Sequence, residues 1–161
     1  MLALRYAAVL ALALWTGGLV VVGALAAPSV FEVLGARGAD GRVLAGAVVG
    51  DMLQRFSLLA YVCAAVVLVS LAVRGILGPR PRRFAIRVAG LAVMTAAAVY
   101  SGVVLAPRVA AAQRAIGTAP SALAESDPRR VEFARLHGTS VSVQLVPLLG
   151  GLALLFWELK D

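Results

Sequence analysis

The chain has 161 residues, 61% of them hydrophobic and only 14% charged, with a mean hydropathy of +0.94. A soluble domain carries about 25% charged residues, so this composition excludes an ordinary water-soluble fold and points to lipid. The net charge of +7 does not imply nucleic acid. Fourteen arginines flank apolar runs, where basic residues meet headgroups and set orientation, and a nucleic-acid interface needs a soluble surface to present it.

Four stretches are free of charge: residues 6–31, 56–73, 88–107 and 138–157. About 20 helical residues cross a hydrocarbon core of ~30 Å. In lipid the backbone must satisfy its own hydrogen bonds, so each run should be helical. The ~10-residue alternating segments of a membrane barrel are absent. The fold class is therefore all-α, an integral membrane four-helix bundle in one domain over residues 1–161. The spans are expected at about 4–27, 56–73, 87–106 and 138–157.

Span one meets Pro28, which cannot continue the hydrogen-bond ladder, and its helix should end by Gly35. A second reading competes here. Arg5, the apolar run and Ala24-Leu25-Ala26 together also resemble a secretory leader with a small-residue cleavage site. Against it, the charge-free run is longer than a leader's ~7–15 residues, and Trp15 with Gly17-Gly18 suits a packed membrane helix. Residues 42–50 are apolar but too short to cross, and read as a juxtamembrane helix running into span two.

Span two ends at Arg74-Gly75. The link to span three holds Arg74, Arg80, Arg82, Arg83 and Arg87 with no acid, which places it in the cytoplasm and both termini with it, in a plasma (inner) membrane. The counter-signal is residues 106–136, which hold five arginines as well. Span three is rich in Ala and Gly and should lie inside the bundle, since small residues let helix backbones approach. Asp127-Pro128 reads as a helix start, with Asp as N-cap and Pro at the first position. Pro147, followed by Gly150-Gly151, should kink span four.

The segments 25–30 and 104–109 resemble each other at an offset of 79 residues, each with Ala-Pro at a helix exit. After each, a loop leads to an arginine, Arg55 or Arg135, at the mouth of the next span. This suggests two repeated helical hairpins in the same orientation. The blander explanation is that Ala-Pro is common at helix ends in Ala-rich chains.

No catalytic constellation appears: no G-x-S-x-G, Walker-type loop or CxxC, and a single histidine and a single cysteine, Cys63. A lone His is a poor metal site, since zinc usually takes ~4 ligands, so neither metal ligands nor a cofactor are evident. Glu32, Asp51, Arg55, Arg108, Glu132, Arg135 and His137 fall at the outer helix ends and form the candidate polar site. Opposite charges there could pair across the repeat, as Asp51 or Glu32 with Arg135 or Arg108, merely stapling helix ends or lining a vestibule. No carboxylate or base lies mid-span, where proton-coupled transporters carry one. Gln144 and Thr16 are the mid-span polar candidates, and the bland role of Gln144 is an interhelical hydrogen bond.

Several short motifs recur in order: Trp15-Thr16-Gly17-Gly18, Ala27-Pro28-x-x-Phe31, the approach 46–55, Ala106-Pro107-Arg108 and Phe133-x-Arg135-Leu136-His137-Gly138-x-Ser140. Together they resemble the transmembrane protein 205-like, domain-of-unknown-function 4149 family over nearly the whole chain. The resemblance implies four membrane helices and carries no biochemical activity. The residues themselves favour a small-molecule or ion binding, transport-related membrane protein, its partners the bilayer and a second copy or membrane subunit. The alternatives are a haem- or metal-associated redox protein using His137, and an assembly subunit of a membrane complex.

Overall fold

A computed structural model describes residues 2–78 and 83–160. Arg80 and Arg82 of the basic link lie outside the described residues. Four long apolar helices account for most of the chain: α1 (Leu2–Gly35), α2 (Ala39–Leu77), α3 (Phe84–Ile116) and α4 (Pro128–Lys160). They hold 34, 39, 33 and 33 residues, or roughly 50–58 Å at 1.5 Å per residue. Each is thus longer than the ~30 Å hydrocarbon core requires. The protein is a multi-pass membrane protein with an all-α four-helix bundle. The apolar residues 42–50 are continuous with α2.

The helix ends follow from their residues. Gly38 takes φ 86° between α1 and α2. A side chain at Gly41 would collide with the Leu34 carbonyl, so glycine lets the two helices meet at the turn. α3 ends on Gly117 at φ 71°, whose N–H donates to the Gln113 carbonyl. Asp127 starts α4 as its composition indicates: its Oδ1 accepts the Arg129 N–H at 2.9 Å and its carbonyl accepts Val131 N–H.

The helices stand in a ring. α1 packs on α2 and α4, and α3 packs on α4 and α2, while the diagonal pairs share little backbone contact. The first half of α1 and the first half of α3 bury equivalent positions, Leu12 with Leu91 and Trp15 with Met94, against Val67, Leu71 and Leu154. Leucines and valines such as Leu58, Val62, Val103 and Leu149 remain exposed on the outside, which in lipid costs nothing. Span three is not the inner helix that its small residues suggest. The most apolar stretch of α3 is 28% buried, equal to α1 and below the 33% of α2. A four-membered ring has no central position, so its alanines serve close packing on one face and lipid on the other.

The hairpin repeat has a backbone signature. α1 widens to a π-helix over Val21–Ala26 and α3 does so over Tyr100–Leu105, again 79 residues apart. Each widening ends just before Ala-Pro. The Ala27 N–H donates to the Val22 carbonyl and the Ala106 N–H to the Ser101 carbonyl, five residues back in both cases. The cause lies in Pro28 and Pro107, whose rings lack an N–H and crowd the carbonyl four residues earlier. An extra residue in the turn relieves that crowding. Pro147, by contrast, lies within an unbroken α4.

Beyond the π segments the bundle changes character. Ala27–Gly35 packs on α2, and Ala106–Ile116 packs on α4 with a limited touch on α2. The seam between α1 and α4, extensive from Leu2 to Val20, has no extended continuation past that point among the described residues. The hairpins are joined along one end and separate at the other.

Candidate functional site

The charged residues marked out at the outer helix ends all lie on the separated hairpin tips, but the structure does not gather them. Asp51 bonds Arg55 at 2.7 Å, one turn along α2, and Glu132 bonds Arg135 at 2.8 Å on α4. Both pairs are exposed and local, so the pairing expected across the repeat is corrected. Residues three or four apart on a helix are already neighbours, whereas the tips part. Glu32 and Arg108 are exposed. His137 is exposed and its ring stacks on Phe133, with centroids 5.9 Å apart. Among the described residues no three His, Cys, Asp or Glu side chains come together.

The mid-span residues divide differently. Thr16 is buried and donates to the Leu12 carbonyl at 2.7 Å. Its methyl occupies the space a Cβ on Gly151 would need, so Thr16 belongs to the α1–α4 seam. Gln144 lines a cleft with Trp15, Leu19, Phe56, Ser57, Ser101 and Pro147. All four helices contribute to it, and its enclosed part has room for about one water molecule. It lies at the level of the π segments, where the α1–α4 seam ends. Gly102 brings α3 against Ser57 and Tyr61 of α2, since a side chain there would strike the Tyr61 hydroxyl.

The polar groups of this cleft are not equally engaged. Ser57 Oγ donates to the Leu53 carbonyl at 2.9 Å. The amide of Gln144 and the hydroxyl of Ser101 make no side-chain hydrogen bond with any described residue. In a low-dielectric wall such groups need partners. No ionisable side chain lines the cleft, so the chemistry it offers is uncharged hydrogen bonding between aromatic walls.

The opposite end of the bundle holds a constellation that the sequence did not disclose. Glu158 of α4 is 3% exposed, and its Oε1 and Oε2 accept from Arg87 of α3 at 2.7 Å and Arg74 of α2 at 2.8 Å. Arg5 of α1 donates through Nε at 2.9 Å and through Nη2 to the Glu158 carbonyl, while Arg87 Nη2 donates to the Trp157 carbonyl at 3.0 Å. The last carbonyls of a helix have no partners within it, and here arginines from α1 and α3 cap those of α4. These arginines read as flanking charges in sequence. The available signal was Glu158, an acid standing where basic residues otherwise dominate.

A comparison with protein families matches residues 10–118 to the domain of unknown function DUF4149. No curated protein and no solved structure matches.

Proposed function

The chain belongs to the DUF4149 family, and we propose that it binds a small uncharged polar molecule in the cleft between its two hairpins, as a transport-related membrane protein. The observation that carries this reading is the pair of unengaged polar groups, Gln144 and Ser101, facing one cleft with Trp15 and Phe56. An amide and a hydroxyl recognise donors and acceptors without a charge, and aromatic walls favour flat or apolar surfaces. The absence of ionisable lining weighs against an ion as the ligand. The separated tips supply the approach, and the arginine-rich link supports a cytoplasmic side for the joined end and both termini.

The test uses proteoliposomes and two small uncharged probes, glycerol and urea, with solute entry followed by stopped-flow light scattering. Wild-type protein should accelerate entry of at least one probe over protein-free vesicles, and Gln144→Leu and Ser101→Leu should each remove most of that increment. A Ser101→Cys change on a Cys63→Ala background should react with a water-soluble thiol reagent from the hairpin-tip side. Entry at the bare-lipid rate together with an unreactive Cys at 101 would sink the proposal.

A further inference from the structure

A second site follows from the arginines at the joined end, independently of the cleft. Arg74 is 9% exposed, yet only its Nη1 has an acceptor among the described residues, Glu158 Oε2. Its Nε and Nη2 have none, and neither does Nη1 of Arg5. Glu158 does not reach them in this arrangement: its carboxylate oxygens meet Nη1 of Arg74 and Nη1 of Arg87, and its carbonyl meets Arg5. Guanidinium donors held this close to burial call for an acceptor. Arg5 and Arg74 each stand at the edge of an apolar run, beginning at Tyr6 and ending at Val73, which is the depth of lipid headgroups.

We propose that Arg5 and Arg74 hold a phosphate group, of an anionic lipid or of free phosphate, at the joined end of the bundle. The planar fork of arginine matches two phosphate oxygens, and basic pockets between membrane helices take headgroups in this way. Glu158 holds both side chains, Arg74 through its carboxylate and Arg5 through its carbonyl, so that the remaining donors are preset.

The experiment measures thermal unfolding of the purified chain in a neutral detergent. The additions are phosphatidylglycerol, phosphatidylcholine or inorganic phosphate. A ligand present at about a hundred times its Kd should raise Tm by several degrees. Phosphatidylglycerol raising Tm well above phosphatidylcholine supports a headgroup as the source, and an equal rise with inorganic phosphate supports free phosphate. In either case Arg5→Gln should at least halve the shift. Because Arg74→Gln leaves Glu158 short of a partner, Arg74→Lys, which keeps a cationic donor for Glu158 but lacks the spare guanidinium donors, serves as the second variant, and it too should lose most of the shift. No selective shift in wild type, or a shift that survives both variants, overturns the proposal.

Discussion

Glu158 is the residue on which the joined end depends, since one buried carboxylate answers guanidinium groups from two other helices. Removing one partner of a buried pair leaves the others charged and uncompensated, at a cost of about 3–5 kcal/mol. Glu158→Gln should therefore lower the unfolding midpoint in detergent far more than Glu132→Gln, whose pair with Arg135 is exposed and worth little. Equal effects would show that the cluster is not what ties the helices. Asp127 offers a contrast, because its pair lies in the loop and can be titrated. The Arg129 side chain, and then its amide, hold the Asp127 carboxyl below the ordinary range. A depressed carboxyl contributes stability in full above its unfolded value near 4 and loses it as pH falls through the lower folded value. The protection factors of the Arg129 and Val131 amides, corrected for the pH dependence of intrinsic exchange, should thus hold from pH 7 to about 5 and fall below about 4. Asp127→Asn retains the cap and should flatten that dependence. The sequence made the Asp127 cap readable because capping is local. It hid Glu158, whose three arginine partners are 71, 84 and 153 residues away.

At the scale of the helices, close approach is decided by glycines whose partners lie on other elements. Gly151 admits the Thr16 methyl into the α1–α4 seam, and a Cβ there demands that something move. Gly151→Ala should destabilise the bundle by about 1–3 kcal/mol, the usual range for overpacking. Thr16→Ser removes the opposing methyl, so the double variant should recover most of the loss in an unfolding series. Failure of that rescue would place the cost elsewhere on α4. The existence of four helices was legible from charge-free length alone, because lipid forbids an unpaired backbone. The two π segments were not. Proline announces that a helix must adjust, but whether it widens by a residue or stays α-helical depends on the neighbouring helices. Pro28 and Pro107 widen their helices, and Pro147, buried against the ring, leaves α4 continuous.

For the whole molecule, the decisive geometry is the asymmetry between its ends. Arg5, Arg74, Arg87 and Glu158 bring the start of α1, the end of α2, the start of α3 and the end of α4 to one place. That puts these four helix ends on a single side. The residues expected to form a site, among them Asp51, Arg55, Glu132, Arg135 and His137, stand on the other side, on tips that do not converge. Clustered charge in sequence locates helix ends, but it cannot tell parted ends from joined ones. The convergence is set by packing between the hairpins. Reporter fusions at the N-terminus and at the C-terminus should therefore give the same compartment. A cysteine introduced at Ser121, in the turn before α4, should report the opposite one when treated with an impermeant thiol reagent on a Cys63→Ala background. If the arginine-rich link sets orientation as the positive-inside rule requires, the shared compartment is the cytoplasm. Replacing Arg80, Arg82 and Arg83 by glutamine should then produce a mixture of orientations, while the bundle itself, held by Arg74, Arg87 and Glu158, keeps its unfolding midpoint. Termini found on opposite sides would break the four-helix ring. A preserved ring with its termini outside would leave the fold intact and reverse only the assignment of its cleft to the external face.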